Sequence, residues 1–322
     1  MLDRVNPFIG EIAALSAALL WAVSSIIYSR LGLKIPPLQL NFYKGIIAIA
    51  FIVITLLIQG AAFEDLSSST VALLSLSGII GIGLGDTAYF AALNNLGARR
   101  TLLLETSSPP MGALLALIFI GEQLTYSAWC VILLTILGIA WVISERNPVD
   151  KIGVSRQGIL WGILAAIAQA TGAVISRYAL IQSNISPLES TLIRLVGGTV
   201  IVVGLLFLPR VRQTNAKWQQ STRTWGIIAR QFVVIMRFIR AEVPSVVETV
   251  EVAIAAFGST YLGIWLQQTS LKFAPTGIAQ TFLATSPLFI LPIVALQGEN
   301  ISLRAVLGVV ISLCGIALMF VR

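Results

Sequence analysis

The sequence predicts an all-α integral membrane protein: ten transmembrane helices arranged as two inverted five-helix repeats. Three observations predict it. First, 57% of the 322 residues are hydrophobic and only 11% are charged, with a mean hydropathy of +0.91, whereas soluble domains are roughly a quarter charged. Second, ten runs reach the ~20 mostly apolar residues that cross ~30 Å of hydrocarbon. Third, the stretch 84–122 returns as a near copy at 262–299. Leu84-Gly85 answers Leu262-Gly263, Leu93 answers Leu271 and Ser108-Pro109 answers Ser286-Pro287, all 178 positions on, while Gly121-Glu122 answers Gly298-Glu299 at 177.

Span 1 is expected over residues 8–29. Its length, and the lack of a small-residue cleavage site before span 2, favour a retained helix over a signal peptide. Span 2 covers 38–58, span 3 covers 70–93, span 4 covers 99–120 with Ser-Pro near its middle, and span 5 covers 124–143, completing a first repeat of residues 1–143. A polar connecting loop follows at 144–157. The second repeat, 158–322, holds span 6 at 158–179, span 7 at 187–208, span 8 at 247–270, span 9 at 275–297 and span 10 at 302–321. The early spans correspond too: Ser29-Arg30 matches Ser176-Arg177 at an offset of 147, and at 150 Pro37-Leu38 matches Pro187-Leu188 and Lys44 matches Arg194. Five is an odd number, so the second copy enters the membrane upside down relative to the first, a plan that places a substrate site near the midplane.

One segment breaks the symmetry. Between 209 and 245, Arg223, Arg230 and Arg237 recur every seven positions, with Arg240 after them and Trp225, Phe232 and Met236 on other faces. This suits either a helix lying among anionic headgroups or an irregular basic loop.

Each copy of the 84–122 pattern reads as the end of one apolar helix, a polar or basic turn, a second apolar helix carrying Ser-Pro, and a Gly-Glu turn. With GDTAYF at 85–90 and NNLGARRTLL at 94–103, the pattern resembles the EamA-type family of the drug/metabolite transporter superfamily, over nearly the whole chain. The resemblance implies a secondary carrier, often an exporter of amino acids or other metabolites, with cytoplasmic termini. Lys44 departs from it, standing where an arginine is frequent, and the basic insertion is longer than usual.

Composition excludes other chemistry. With no histidine, the usual general base, the commonest metal ligand and any Ser-His or Cys-His nucleophile are missing, so no cofactor and no metal site are expected. Cys130 and Cys314 fall inside spans 5 and 10 and read as buried small hydrophobes; a disulfide framework is not supported. A net charge of +7 would suggest nucleic acid in a soluble protein. Here the basic residues crowd into membrane-flanking loops, which points to anionic lipid and to no nucleic-acid partner. A small-molecule substrate and a homodimer complete the expected partners, in the plasma (inner) membrane. Arg30, Lys34, Arg99, Arg100, Arg146, Lys151 and Arg156 follow odd-numbered spans, against Arg4, Arg177, Lys272 and Arg322 on the other side. By the positive-inside rule both termini then lie outside, opposite to what the resemblance implies; the charge count, read from this chain, is preferred.

An ionisable group within a span is costly and normally faces a bundle interior or a wet cavity. Lys44, Asp86 and Glu105 each lie ~10 Å below the basic face at ~1.5 Å per residue, so they share one level. Lys44 then meets Asp86 or Glu105 and leaves one carboxylate in excess as a proton-coupling candidate. Glu105 is preferred because Thr101 and Ser108 share its face. The structural alternative is a neutralised cluster that locks spans 2, 3 and 4. Arg194 takes the place of Lys44 in the second repeat, but Ile264 and Leu283 stand where Asp86 and Glu105 would. Without an acid at its level, Arg194 suits a substrate carboxylate or phosphate; alternatively it snorkels to headgroups or pairs with Glu189.

Trp21, Tyr89, Gln169, Trp265, Gln268 and Gln280, with Thr281 and Thr285, lie at mid-helix depth. They either line a cavity for a small amphipathic solute or make helix-to-helix hydrogen bonds; Tyr89, one turn from Asp86, leads the first group. Pro109 and Pro287 remove helical hydrogen bonds at equivalent depth and are gating candidates or static kinks. Glu122 and Glu299 close turns where a carboxylate sits in water at little cost. The leading function is a metabolite carrier, followed by a carrier of lipid-linked or phosphate-bearing solutes, and remotely an intramembrane enzyme with Asp86 and Glu105 as acid and base.

Overall fold

A computed structural model of the chain describes residues 8–32, 34–60, 66–96, 98–143, 155–207, 245–296 and 303–320. The basic segment expected between 209 and 245 (all but Ser245), the Gly298-Glu299 turn and most of the connecting loop lie outside the described residues. Among the described residues every regular element is helical.

Helix α1 runs Ile9–Leu31 and α2 runs Pro37–Gln59. Pro37 opens α2 where its missing N–H would have no partner anyway. Gly60 closes it in the left-handed region at φ 62°. Helix α3, Ser68–Gly78, opens on Ser67, whose Oγ accepts from the Thr70 N–H at 3.2 Å. A π-helical run, Ile79–Gly85, carries it into α4, Asp86–Leu96. Then come α5 (Ala98–Glu105), α6 (Ser108–Phe119) and α7 (Tyr126–Ile143). In the second half α8 is Arg156–Ile181 and α9 is Pro187–Leu206, capped by Ser186 and Glu189 in a reciprocal box. Helix α10, Val246–Ala255, passes through a second π run, Ala256–Leu262, into α11, Gly263–Phe273. The rest is α12 (Thr276–Leu283), α13 (Ser286–Leu296) and α14 (Leu303–Phe320).

Spans 3 and 8, expected as plain helices, each contain a π run, and spans 4 and 9 are each two helices. The breaks have a common cause. A proline ring clashes with the carbonyl four residues back and donates no hydrogen bond; α5 ends at Glu105, four before Pro109, and α12 ends at Leu283, four before Pro287. Among the described residues six helices are long and apolar enough to cross a membrane: Ile9–Tyr28, Pro37–Gln59, Ser68–Leu96, Arg156–Ile181, Pro187–Leu206 and Val246–Phe273, with shorter apolar helices at Ser108–Phe119, Tyr126–Trp141 and Val306–Gly315.

The halves interleave. The α3–π–α4 unit packs on α8 and α9 of the second half, and α10–π–α11 packs on α1 and α2 of the first. Likewise α2 meets α9, α6 meets α12 and α7 meets α14. Cys130 and Cys314, on α7 and α14, are exposed rather than buried, because an apolar run in such a chain has an outer face that meets lipid as well as an inner one.

Glycines allow the closest approach. A Cβ on Gly78 would sit 1.9 Å from the backbone oxygen of Arg194. Gly78→Ala must therefore push α3 and α9 apart, and a loss of about 1–3 kcal/mol is expected from overpacking. The melting temperature should fall relative to Gly204→Ala, where a Cβ meets nothing within 4 Å.

Candidate functional site

A cavity of about 190 Å³ lies between the halves. Ten of the residues picked from the sequence line it: Trp21, Lys44, Asp86, Tyr89, Glu105, Pro109, Gln169, Arg194, Gln280 and Pro287. Lys44, on α2, is held in an ion pair with Asp86 Oδ2, its side chain 7% exposed against 27% for the aspartate. The ammonium also sits 5.2 Å from the centroid of the Phe90 ring. Asp86 follows directly on the first π run, and such runs turn what comes next away from its plain α-helical direction and recur at functional sites.

The π runs loosen carbonyls, and side chains both from facing helices and from the same stretch of chain answer the carbonyls in and beside them. Asn41 Nδ2 donates to Ile82 O at 2.9 Å, and Thr87 Oγ1 donates to Gly83 O at 2.6 Å. In the second run Trp21 Nε1 donates to Ser259 O at 2.8 Å, and Ser259 Oγ to Ala255 O at 2.7 Å. Trp21 is thus both cavity wall and backbone partner. Tyr28 and Tyr89 each stand edge-on to Phe90, at 5.6 and 5.7 Å between centroids.

Glu105 ends α5 at the proline break, and its Oε1 is buried without a hydrogen-bond partner among the described residues. Arg194 is 1% exposed. Its Nη1 donates to Gln267 Oε1 at 3.3 Å, and its Nε has no partner among the described residues. Glu189 is engaged with Ser186 instead. The expectation that Arg194 has no acid at its level is corrected, because it shares the cavity with Asp86 and Glu105. Lys44 and Arg194 each stand seven residues after the proline that opens α2 or α9, and both long side chains reach the same cavity. Two cations and two carboxylates therefore line one space, with Lys44 and Asp86 paired.

Four sequence candidates fall elsewhere. Gln268 Oε1 accepts from Ser176 Oγ at 2.6 Å and Ser190 Oγ at 2.8 Å, tying α11 to α8 and α9. Trp265 packs against Tyr261, 6.1 Å between centroids. The cavity takes Gln267 instead, with Thr260 and Ile264; the spacing i, i+4, i+7 was the available signal, since adjacent residues point ~100° apart on a helix. Thr281 donates back to Gly277 O of its own helix, and Thr285, in the break between α12 and α13, donates to Phe282 O. Glu11, unremarked in the sequence, is a buried carboxylate on α1 with an unpartnered Oε2, away from the cavity lining. Glu122, expected in water, is largely buried and paired with Arg177, since the Gly121 turn folds it back onto the second half.

Helices of this length and apolarity around a charged internal cavity define an integral, multi-pass membrane protein. The EamA-like transporter family matches residues 8–144 and 156–321, and the chain belongs to that family. Membership makes it a membrane transporter of the drug/metabolite superfamily, a family of transporters, which supports the reading that it is not an enzyme. A solved crystal structure aligns over 96% of this chain and 96% of its own, at a TM-score of 0.67 and 15% sequence identity; that likeness shows the fold alone. No curated protein matches the chain.

Proposed function

We propose that the protein is a plasma-membrane secondary carrier that exports a small amphipathic metabolite, an amino acid or a solute of that type, by alternating access between two inverted five-span repeats. The interleaved packing of equivalent helices and the matched proline breaks support the ten-span, inverted reading. The observation that carries the choice of solute is the pair of unsatisfied groups in one cavity, Arg194 Nε and Glu105 Oε1. A guanidinium that makes no ion pair among the described residues suits a solute carboxylate. A lone carboxylate suits the solute's ammonium group or a proton. Pro109 and Pro287, at the broken helices on the cavity wall, are the proposed flexing points. The basic turns are assigned to the cytoplasm from the charge count.

The test is proton flux in proteoliposomes over a panel of metabolites. Parent protein should show flux that depends on one class of solute. Glu105→Gln should abolish that flux while retaining solute-for-solute exchange, since the amide still hydrogen-bonds but carries no proton. A Glu105→Gln protein that moves protons like the parent would remove Glu105 from the assignment.

A further inference from the structure

Glu122 ties the two halves together. Gly121, at φ 74°, turns the chain sharply after α6, and the carboxylate that follows points inward. Its Oε1 accepts from Arg177 Nε at 2.6 Å, and its Oε2 accepts from the backbone N–H of Thr276 at 2.9 Å. Thr276 is the first residue of α12, so its N–H is one of the donors a helix start leaves without a partner. The ion pair is largely shielded, with side chains 14% and 13% exposed. Arg177 is fixed in turn, Nη1 donating to Leu271 O and Lys272 O at 2.8 Å each. One carboxylate of the first half therefore holds α8, the end of α11 and the start of α12.

These contacts lie one turn beyond the cavity wall at Gln280. At the opposite end the cavity wall extends to Tyr28, Leu93 and Leu102, each within about a turn of the end of its helix. Toward Glu122 it comes as close on α12, at Gln280 one turn inside Thr276, while on α8 its nearest wall residue is Gln169, eight residues short of Arg177. The halves are also tied at the far end, by Lys34 and Glu248 at 3.0 Å, but there the lysine side chain is 67% exposed, and pairs in water hold weakly. Arg30, the counterpart of Arg177 in the first half, is exposed. The ionic tie on the Glu122 side is thus shielded and the one at the far end solvated.

We propose that the Glu122–Arg177 bridge, with its cap on Thr276, is the closure that seals the substrate cavity on this face, and that its parting admits solute there. The inference rests on the alternating-access reading, in which each face must open in turn. Sided labelling tests it. In a Cys130→Ser, Cys314→Ser background, Gln280→Cys places one thiol just inside the bridge, and a membrane-impermeant maleimide is applied to right-side-out and to inverted vesicles. Glu122→Gln keeps the shape and loses the charge. It should raise the labelling rate from the Glu122 face by about tenfold or more, the scale set by losing a charge-assisted hydrogen bond. Arg177→Lys keeps the charge but cannot span both Leu271 O and Lys272 O, and should raise the rate by less. If neither variant changes labelling from that face, even where the melting temperature falls, the bridge is a brace and the closure is overturned. Solute transport by the parent is measured separately, so failure there counts against the carrier reading and leaves the labelling result standing.

Discussion

Arg194→Met is expected to cut solute transport by about two orders of magnitude while the protein still folds. The guanidinium is 1% exposed, yet the protein gives it only one described hydrogen bond, a 3.3 Å contact to Gln267, and leaves Nε unsatisfied. A buried charge so thinly supported does little for stability. Its removal should therefore leave the melting temperature near that of the parent, with Gln267 Oε1 the only described acceptor orphaned. The transport cost is different in kind. Truncating one partner of a buried, hydrogen-bonded charge pair costs about 2–5 kcal/mol, and ~2.8 kcal/mol is about a hundredfold. Arg194→Lys keeps the charge without the planar fork and should recover part of the loss. Initial rates of counterflow in proteoliposomes, read beside melting in detergent, decide it. Parent-like transport by Arg194→Met, or a loss that merely follows unfolding, would remove Arg194 from the site.

The fold was legible because a bilayer imposes it. Apolar runs of ~20 residues have few alternatives in hydrocarbon, and letters repeated from Ser108-Pro109 to Ser286-Pro287 gave the duplication. The proline breaks were half legible: the ring clash fixes where α5 and α12 end, but a kink and a full break read alike in one dimension. The π runs were not, since nothing local in IIGIGLG or AFGSTYL separates a wider turn from an ordinary one. In the site, counting depth along helices placed Lys44, Asp86 and Glu105 at one level and they share a cavity. The same counting separated Arg194 from them, because it located Cα atoms and ignored the reach of a long side chain. Gln268 was chosen over Gln267 on polarity and depth, where helical phase decides. Glu122 was misjudged because its partner is 55 residues away, although the recurrence of both Arg and Glu at matched places was a signal that they work together.

Asp86→Asn is expected to destabilise the protein more than deleting the whole Lys44–Asp86 pair. The lysine side chain is 7% exposed and the aspartate 27%, so the ammonium loses its only described ion-pair partner while remaining largely out of water. The Phe90 ring, 5.2 Å away, offsets only ~1 kcal/mol of that. Breaking a buried pair at one end costs about 3–5 kcal/mol, here reduced toward ~3 because the aspartate side borders the cavity, which corresponds to a fall on the order of 5–10 °C in melting temperature. Lys44→Met should cost less, since the remaining carboxylate keeps some hydration. Lys44→Met with Asp86→Leu should return to within ~1 kcal/mol of the parent, as buried pairs replaced by apolar groups commonly do. The positive coupling between the two sites is then read from the double-mutant cycle. Transport by the double variant separates two roles: a folded but inert protein makes the pair part of the transport machinery, while a folded and active one reduces it to a lock between α2 and α4. An unchanged melting temperature for Asp86→Asn would mean that the ammonium is hydrated after all, and that the cavity is wetter at this level than its lining implies.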